Sequence, residues 1–171
     1  MAVPGGSLQY YKLNYEDRRY SPLTSDLTMA FGGRLGYGKA YGSTDKYPFF
    51  ENFYAGGQNS VRGFSSNTLG VKDNKQALGG NLLVTAGAEL IFQIPFVKKQ
   101  IKSIRLSAFT DVGNVYDENE NFDAGLLRYS AGLSAIWISP FGPVSVSVAR
   151  PFNKQDDDET EIFQFAVGSA F

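Results

Sequence analysis

The feature that most narrows the fold is an alternation of residue types that recurs along almost the whole chain. Residues 26–40 put Leu27, Met29, Phe31, Leu35 and Tyr37 on one side and Thr28, Ala30, Gly32, Arg34 and Gly36 on the other. Residues 80–94 set Leu82, Val84, Ala86, Ala88, Leu90 and Phe92 against Asn81, Thr85, Gly87 and Glu89. A period of two is the pattern of β-strands, whose successive side chains point to opposite faces. It runs equally through residues 7–15, 102–116, 126–139, 143–151 and 160–171. The chain therefore reads as seven strands in an antiparallel up-and-down meander, an all-β fold in a single domain over residues 1–171.

The two faces differ in a way that decides the class. One is apolar and almost free of charge. The other is small, rich in glycine, and carries Lys12, Arg34, Glu89, Arg105, Asp111 and Arg128. A soluble sandwich buries its large residues and shows charge outside. Large residues on an uncharged face, with a polar face opposite, describe a transmembrane β-barrel that is apolar toward lipid and wet within. Strands of about 9–11 residues suffice to cross the hydrocarbon. The uncharged residues from Tyr129 to Ala149 are long enough for a spanning helix, but Ser139-Pro140-Phe141-Gly142-Pro143 divides them and both halves alternate, so they read as two strands and a tight turn. The 10 Tyr, 14 Phe and 19 Gly suit strands and aromatic girdles.

The connections follow the same plan. Those at 16–25, 95–101 and 139–143 are short or moderate, whereas those at 41–79, 117–125 and 152–159 are longer or highly polar. Outer-membrane barrels have short periplasmic turns and long external loops, which puts the second set outside. The runs Asp117-Glu118-Asn119-Glu120 and Asp156-Asp157-Asp158-Glu159 match no EF-hand spacing and read as solvated loops.

One external connection departs from an ordinary loop. From Phe49 to Gly70 the chain reads FFENFYAGGQNSVRGFSSNTLG, and Arg62 is its only charge between Glu51 and Lys72. Loops of this length without structure of their own are functional or disordered, and the aromatic content opposes disorder. It is expected to pack into something, with Arg62 as a polar tip.

Chemistry by side-chain nucleophiles has little to work with. There is no Cys and no His, which removes thiolate chemistry, Ser-His-Asp and Cys-His systems and the commonest transition-metal ligand. No catalytic residue, metal site or cofactor is expected. A net charge of −1 gives no electrostatic support for nucleic-acid binding. Met1-Ala2-Val3-Pro4 lacks the charged and apolar regions of a signal peptide.

The segment ENFYAGGQNSVRGF resembles the sixth external loop of the BamA family, the outer-membrane barrels that assemble other barrel proteins. AELIFQIP, FTDVGNVYD, SAGLSAIWISPFGPVSVSVARPF and FQFAVGSAF are similar to that family's terminal strands, so the resemblance covers essentially the whole chain. It implies residence in the bacterial outer membrane, contact with outer-membrane lipids, unfolded outer-membrane proteins as substrates, and accessory lipoproteins as partners through periplasmic repeats. It also implies that the loop folds into the barrel lumen, where the Val61-Arg62-Gly63-Phe64 motif meets Glu89, Phe109 and Asp111 as a latch. The alternation independently places Glu89, Phe109 and Asp111 on the polar face. Phe163, Phe165, Val167 and Phe171 resemble the terminal assembly signal and seam strand of the family, and are also what plain lipid-facing alternation would give.

The family barrel is sixteen-stranded and preceded by soluble repeats. Seven strands without repeats, with Val3-Pro4-Gly5-Gly6 resembling the loop before the tenth family strand, read as its carboxy-terminal portion. In a seven-stranded meander the first and last strands run in the same direction, so closure would need a parallel seam. Left open, both edges expose backbone groups, and edge-to-edge pairing of two copies, strand 160–171 against its two-fold mate, is expected. The alternative function is a two-partner secretion pore, which shares the arginine motif. A barrel lipase or protease is opposed by the absence of histidine, and a soluble ligand-binding barrel by the uncharged apolar face.

Overall fold

A computed structural model describes residues 8–93, 104–140 and 142–168. Strands β1 (Tyr10–Pro22) and β2 (Leu27–Ala40) form a hairpin. The long loop after β2 carries three two-residue strands, β3 (Gly63–Phe64), β4 (Lys72–Asp73) and β5 (Gln76–Ala77). Then follow β6 (Leu82–Gln93), β7 (Ile104–Tyr116), β8 (Arg128–Ser139), β9 (Gly142–Phe152), β10 (Thr160–Glu161) and β11 (Phe163–Val167). One seven-stranded antiparallel sheet has the order β1-β2-β6-β7-β8-β9-β11, so β1 and β11 are its edges. The uncharged stretch from Tyr129 to Ala149 is β8, a turn and β9, and no described helix is long and apolar enough to cross a membrane.

The polarity of the sheet is inverted relative to a soluble protein. On β8, Leu133 is 63% exposed while the next residue, Ser134, is 5% exposed. Phe31, Leu35, Trp137, Val148, Phe163, Phe165 and Val167 are likewise exposed, and Glu89, Ser107, Asp111, Ser130, Ser145, Ser147 and Gln164 are buried. Exposed large apolar groups over a whole sheet face would be intolerable in water; facing lipid they need no cover.

Two strands differ from their sequence-based bounds. β1 runs on to Pro22 through the charged segment expected to be a connection, leaving a turn at 23–26. The alternation persists through those charges: Glu16 pairs in register with Arg34 and Arg18 with Gly32 of the inner face, while Asp17 and Arg19 lie on the outer face. Charge on both faces hid the strand; the fourteen-residue partner β2 supplies the ladder that keeps it extended. The second difference is at 160–171. Thr160 and Glu161 leave the sheet and pair with the loop strand β3, and among the described residues Phe163–Val167 pairs with β9. Phe171, Phe141, residues 95–101 and the Val3–Gly6 segment lie outside the described residues.

The apolar core sits between the long loop and the inner face. Phe53, Ala55, Val61, Phe64 and Leu69 from the loop pack with Leu83 of β6 and Val115 of β7. The inner wall makes room with glycine. A Cβ at Gly36 would lie 2.6 Å from the Phe53 ring, and one at Gly38 would lie 2.2 Å from the Tyr47 ring. The small residues of the polar face are thus the floor on which the loop's aromatics rest.

Candidate functional site: the seat of the arginine loop

Adjacent strands β6 and β7 build one wall of the site. In register, Glu89 faces Phe109 and Gly87 faces Asp111. The bare backbone at Gly87 gives the Asp111 carboxylate its space: a Cβ there would stand 2.8 Å from Oδ1. Gly132 on β8 does the same for the Phe109 ring, 2.8 Å from its Cζ.

Arg62 descends onto this wall. Its Nε donates to Asp111 Oδ2 at 2.7 Å and its Nη2 to Oδ1 at 2.9 Å, a two-pronged contact. Its backbone N–H donates to the same Oδ2 at 3.1 Å, and Nη1 reaches Glu89 Oε1 at 3.3 Å. The guanidinium carbon lies 3.4 Å from the centre of the Phe109 ring. Planar donors, two carboxylates and a ring face are what a guanidinium matches and an ammonium does not. Burial by itself lowers the Arg62 pKa, but the contacts with Asp111 and then Glu89 outweigh it, and the net direction is upward.

A second cation completes the charge balance. Arg18 of β1 donates from Nη2 to Glu89 Oε2 at 3.1 Å, and Ser107 Oγ donates to Glu89 Oε1 at 2.6 Å. Two guanidinium groups thus face two carboxylates. Paired and hydrogen-bonded, such a cluster tolerates burial, whereas removal of one member leaves an uncompensated charge. Arg18 has the inward parity of Lys12 and lies on the part of β1 beyond residue 15, in the segment expected to be a connection.

The rest of the motif is held from the opposite side. Gly63 sits at φ +90°, a conformation natural to glycine, and the chain there turns Phe64 into the core. Gly63 N–H donates to Gln164 Oε1 at 3.2 Å, and Gln164 Nε2 donates to the Phe64 carbonyl at 2.7 Å. Ser147 Oγ donates to Gln58 Oε1 at 2.5 Å. Neither Gln164 nor Gln58 stands out in the sequence, because an amide in an alternating strand or polar loop carries no signature of its partner.

The acidic connections are not simply solvated. Asp158 has a fully buried side chain and accepts from Arg128 Nε at 2.9 Å and Nη2 at 3.0 Å. Lys72 Nζ lies 3.9 Å from Asp158 Oδ1 and donates to the Asp157 carbonyl. Glu118 accepts from the Tyr47 backbone at 3.1 Å. Both runs clasp the long loop, since each finds a cation or an N–H once the loops meet. At the β1 end, Glu51 accepts from Lys12 Nζ at 3.1 Å and from the Tyr10 hydroxyl at 3.0 Å. The Lys12 hydrogen bond, then that of Tyr10, holds the Glu51 carboxyl below its usual value. Burial, then the nearby Glu51 charge, pushes the Tyr47 phenol up to about 12. Of the terminal residues singled out in the sequence, Phe163, Phe165 and Val167 lie on the exposed outer face of β11. Among the described residues no cluster of three or more acidic side chains is placed to hold a metal.

A sheet that is apolar outside, polar inside and filled by a long loop from one end is that of an outer-membrane β-barrel. The chain belongs to the Omp85 superfamily, whose domain description matches residues 1–171. It is 38% identical to the outer membrane protein assembly factor BamA of Neisseria meningitidis, in an alignment covering 100% of this chain and 25% of that protein. A SAM50-like protein of Drosophila melanogaster is 26% identical over 98% of this chain and 38% of its own length. Among solved structures, BamA from Haemophilus ducreyi lacking POTRA domains 1-3 superposes with a TM-score of 0.87 at 32% identity, over 95% of this chain and 35% of that one. The chain thus spans 25% and 21% of the length of two curated BamA relatives. The architecture expected from the alternation is the observed one, and the family named by resemblance is the family found.

Proposed function

We propose that this chain is the carboxy-terminal part of a bacterial outer-membrane insertase barrel, acting on unfolded outer-membrane proteins without covalent catalysis. The observation that carries the reading is Arg62 of the loop engaged by Asp111 and Glu89 on the inner wall of an Omp85 sheet. In this reading Val61, Arg62, Gly63, Phe64, Glu89, Phe109 and Asp111 form a latch that fixes one position of the 41–79 loop. The last strand, with Phe163, Phe165, Val167 and Phe171, supplies one side of a seam and an assembly signal. Accessory lipoproteins engage periplasmic repeats of the full-length protein, and lipids bathe the outer face. The relatives named as assembly factors and as SAM50-like proteins support this reading.

The test is reconstitution. The full-length protein in phospholipid vesicles should speed insertion of an unfolded barrel substrate, scored by its heat-modifiable mobility on a gel, and Arg62→Ala should slow it. A full-length protein that leaves insertion rates unchanged and instead conducts as a stably open channel would favour the secretion-pore reading.

A further inference from the structure

The last strand does not run straight along the sheet edge. Its amino-terminal residues Thr160 and Glu161 pair with Phe64 and Gly63 of the arginine loop. Ser65 N–H donates to the Glu159 carbonyl at 2.9 Å, extending that contact by one residue. Ile162 is the changeover: its carbonyl accepts from Ala149 of β9 at 2.9 Å, and from Phe163 onward the strand pairs with β9. Two residues later Gln164, only 3% exposed, turns its amide inward and uses both ends of it on the loop backbone, at Gly63 N–H and the Phe64 carbonyl.

The motif is therefore gripped from two walls. Arg62 is held by β6 and β7, and the next three residues are held by the segment 159–164. Gly63 is buried, and Gln164 is the acceptor of its N–H. If β11 moves, that N–H and the Gln164 amide are both left buried without each other, a loss larger than an ordinary exposed hydrogen bond. If the loop lifts, β10 loses the one strand it pairs with among the described residues. Among the described residues β11 is an edge of the sheet, paired to β9 alone, with backbone bonds to the β9 side at Ile162 and Gly168 flanking the ladder.

We infer that Gln164 is a positioning residue that couples the seat of the arginine loop to the placement of the last strand, so that release of either loosens the other. This deepens the latch reading above and rests on it. Coupling of this kind is reciprocal by thermodynamic necessity and typically amounts to a factor of about 5–150. Any rearrangement that draws β11 away from β9 must then either unseat Arg62 or carry residues 63–65 along.

Hydrogen–deuterium exchange on the full-length protein in detergent micelles tests this from both ends. Gln164→Leu keeps the side-chain bulk and removes both polar ends. It should speed exchange at Gly63 and Ser65 by at least about 5-fold and leave the β7–β8 ladder unchanged. Asp111→Asn, on the far wall, should speed exchange at 62–65 and also at 160–166. Faster exchange at 62–65 with 160–166 unmoved would overturn the coupling while leaving the Arg62 seat intact. No change at either segment in Asp111→Asn would overturn the seat as well. The Asp111→Asn arm decides the question by itself if Gln164→Leu does not fold.

Discussion

Arg62 and Asp111 show how much a single pair can be asked to do. Two side-chain hydrogen bonds, a backbone hydrogen bond to the same carboxylate and a ring beneath the guanidinium converge on one residue of a long loop. Arg62→Ala takes from Asp111 its guanidinium partner and leaves Glu89 with Arg18 and the Ser107 hydroxyl. Breaking a buried pair costs about 3–5 kcal/mol, and the 12% exposure of the Arg62 side chain puts the expected loss at the lower end. The urea midpoint of the full-length protein should fall accordingly, while Arg62→Lys should recover only part of it, because an ammonium cannot span both carboxylate oxygens and the ring. An unchanged midpoint in Arg62→Ala would show that the pair contributes nothing net. Gly38 offers a second residue-scale test. Gly38→Val drives a side chain into the Tyr47 ring, and overpacking of this sort costs about 1–3 kcal/mol. The loss should appear as raised exchange at Tyr47–Phe53 before it appears in β6–β9; uniform loosening would show that the glycine serves the strand rather than the loop.

Among the elements, β8 carries the clearest test of which way the sheet faces. Leu133 is exposed on the outer side, and its neighbour Ser134 is buried on the inner side. In vesicles, Leu133→Arg should destabilise by about 2–4 kcal/mol, the cost of a cation at the lipid face. A soluble sheet would tolerate that change at so exposed a position, so a null result would reverse the assigned faces. The loop element has its own pH signature. Neutral Tyr47 is favoured by the fold, so its contribution is whole below the ordinary phenol value of about 10 and is lost as pH rises from there toward 12. Ionised Glu51 is favoured by the fold, so its contribution is present above the usual carboxylate value and is lost as pH falls through its lowered one. Protection at Tyr47–Phe53, relative to intrinsic exchange, should therefore fall at both extremes, and Tyr47→Phe should shrink the alkaline limb, to which Tyr10 also contributes, while leaving the acid limb.

At the scale of the molecule, β1 and β11 are the outermost strands of the described sheet. Among the described residues β1 presents thirteen residues of edge and β11 five. Unpaired ladders seek partners, so the 171-residue chain in detergent is expected to associate edge to edge. Sizing that gives a strict monomer with both edges protected from exchange would contradict this. The contact expected is the 160–171 edge against its two-fold mate, and its residues from Phe163 onward, which run along the sheet edge beside β9, are the ones a crosslink should join.

Period-two alternation with an uncharged large face determined the class of fold, because the side chain's direction in a strand is a local consequence of the pleat. It also placed Glu89, Phe109 and Asp111 on the inner face. A lone cation in a charge-poor aromatic loop marked Arg62. What the alternation could not show was which inner residue meets which loop residue. Arg18 became a partner of Glu89 only when the β1–β2 register carried the strand past its own charges. Asp158 changed from a solvated acid to a buried anchor because Arg128 and Lys72, far away in sequence, converge on it. Gln164 met Gly63 and Phe64 because the last strand departs from its ladder at Ile162. Those contacts join residues up to 101 positions apart. Local chemistry fixes the face a side chain looks from, and only the closed packing of loop against sheet decides what it sees.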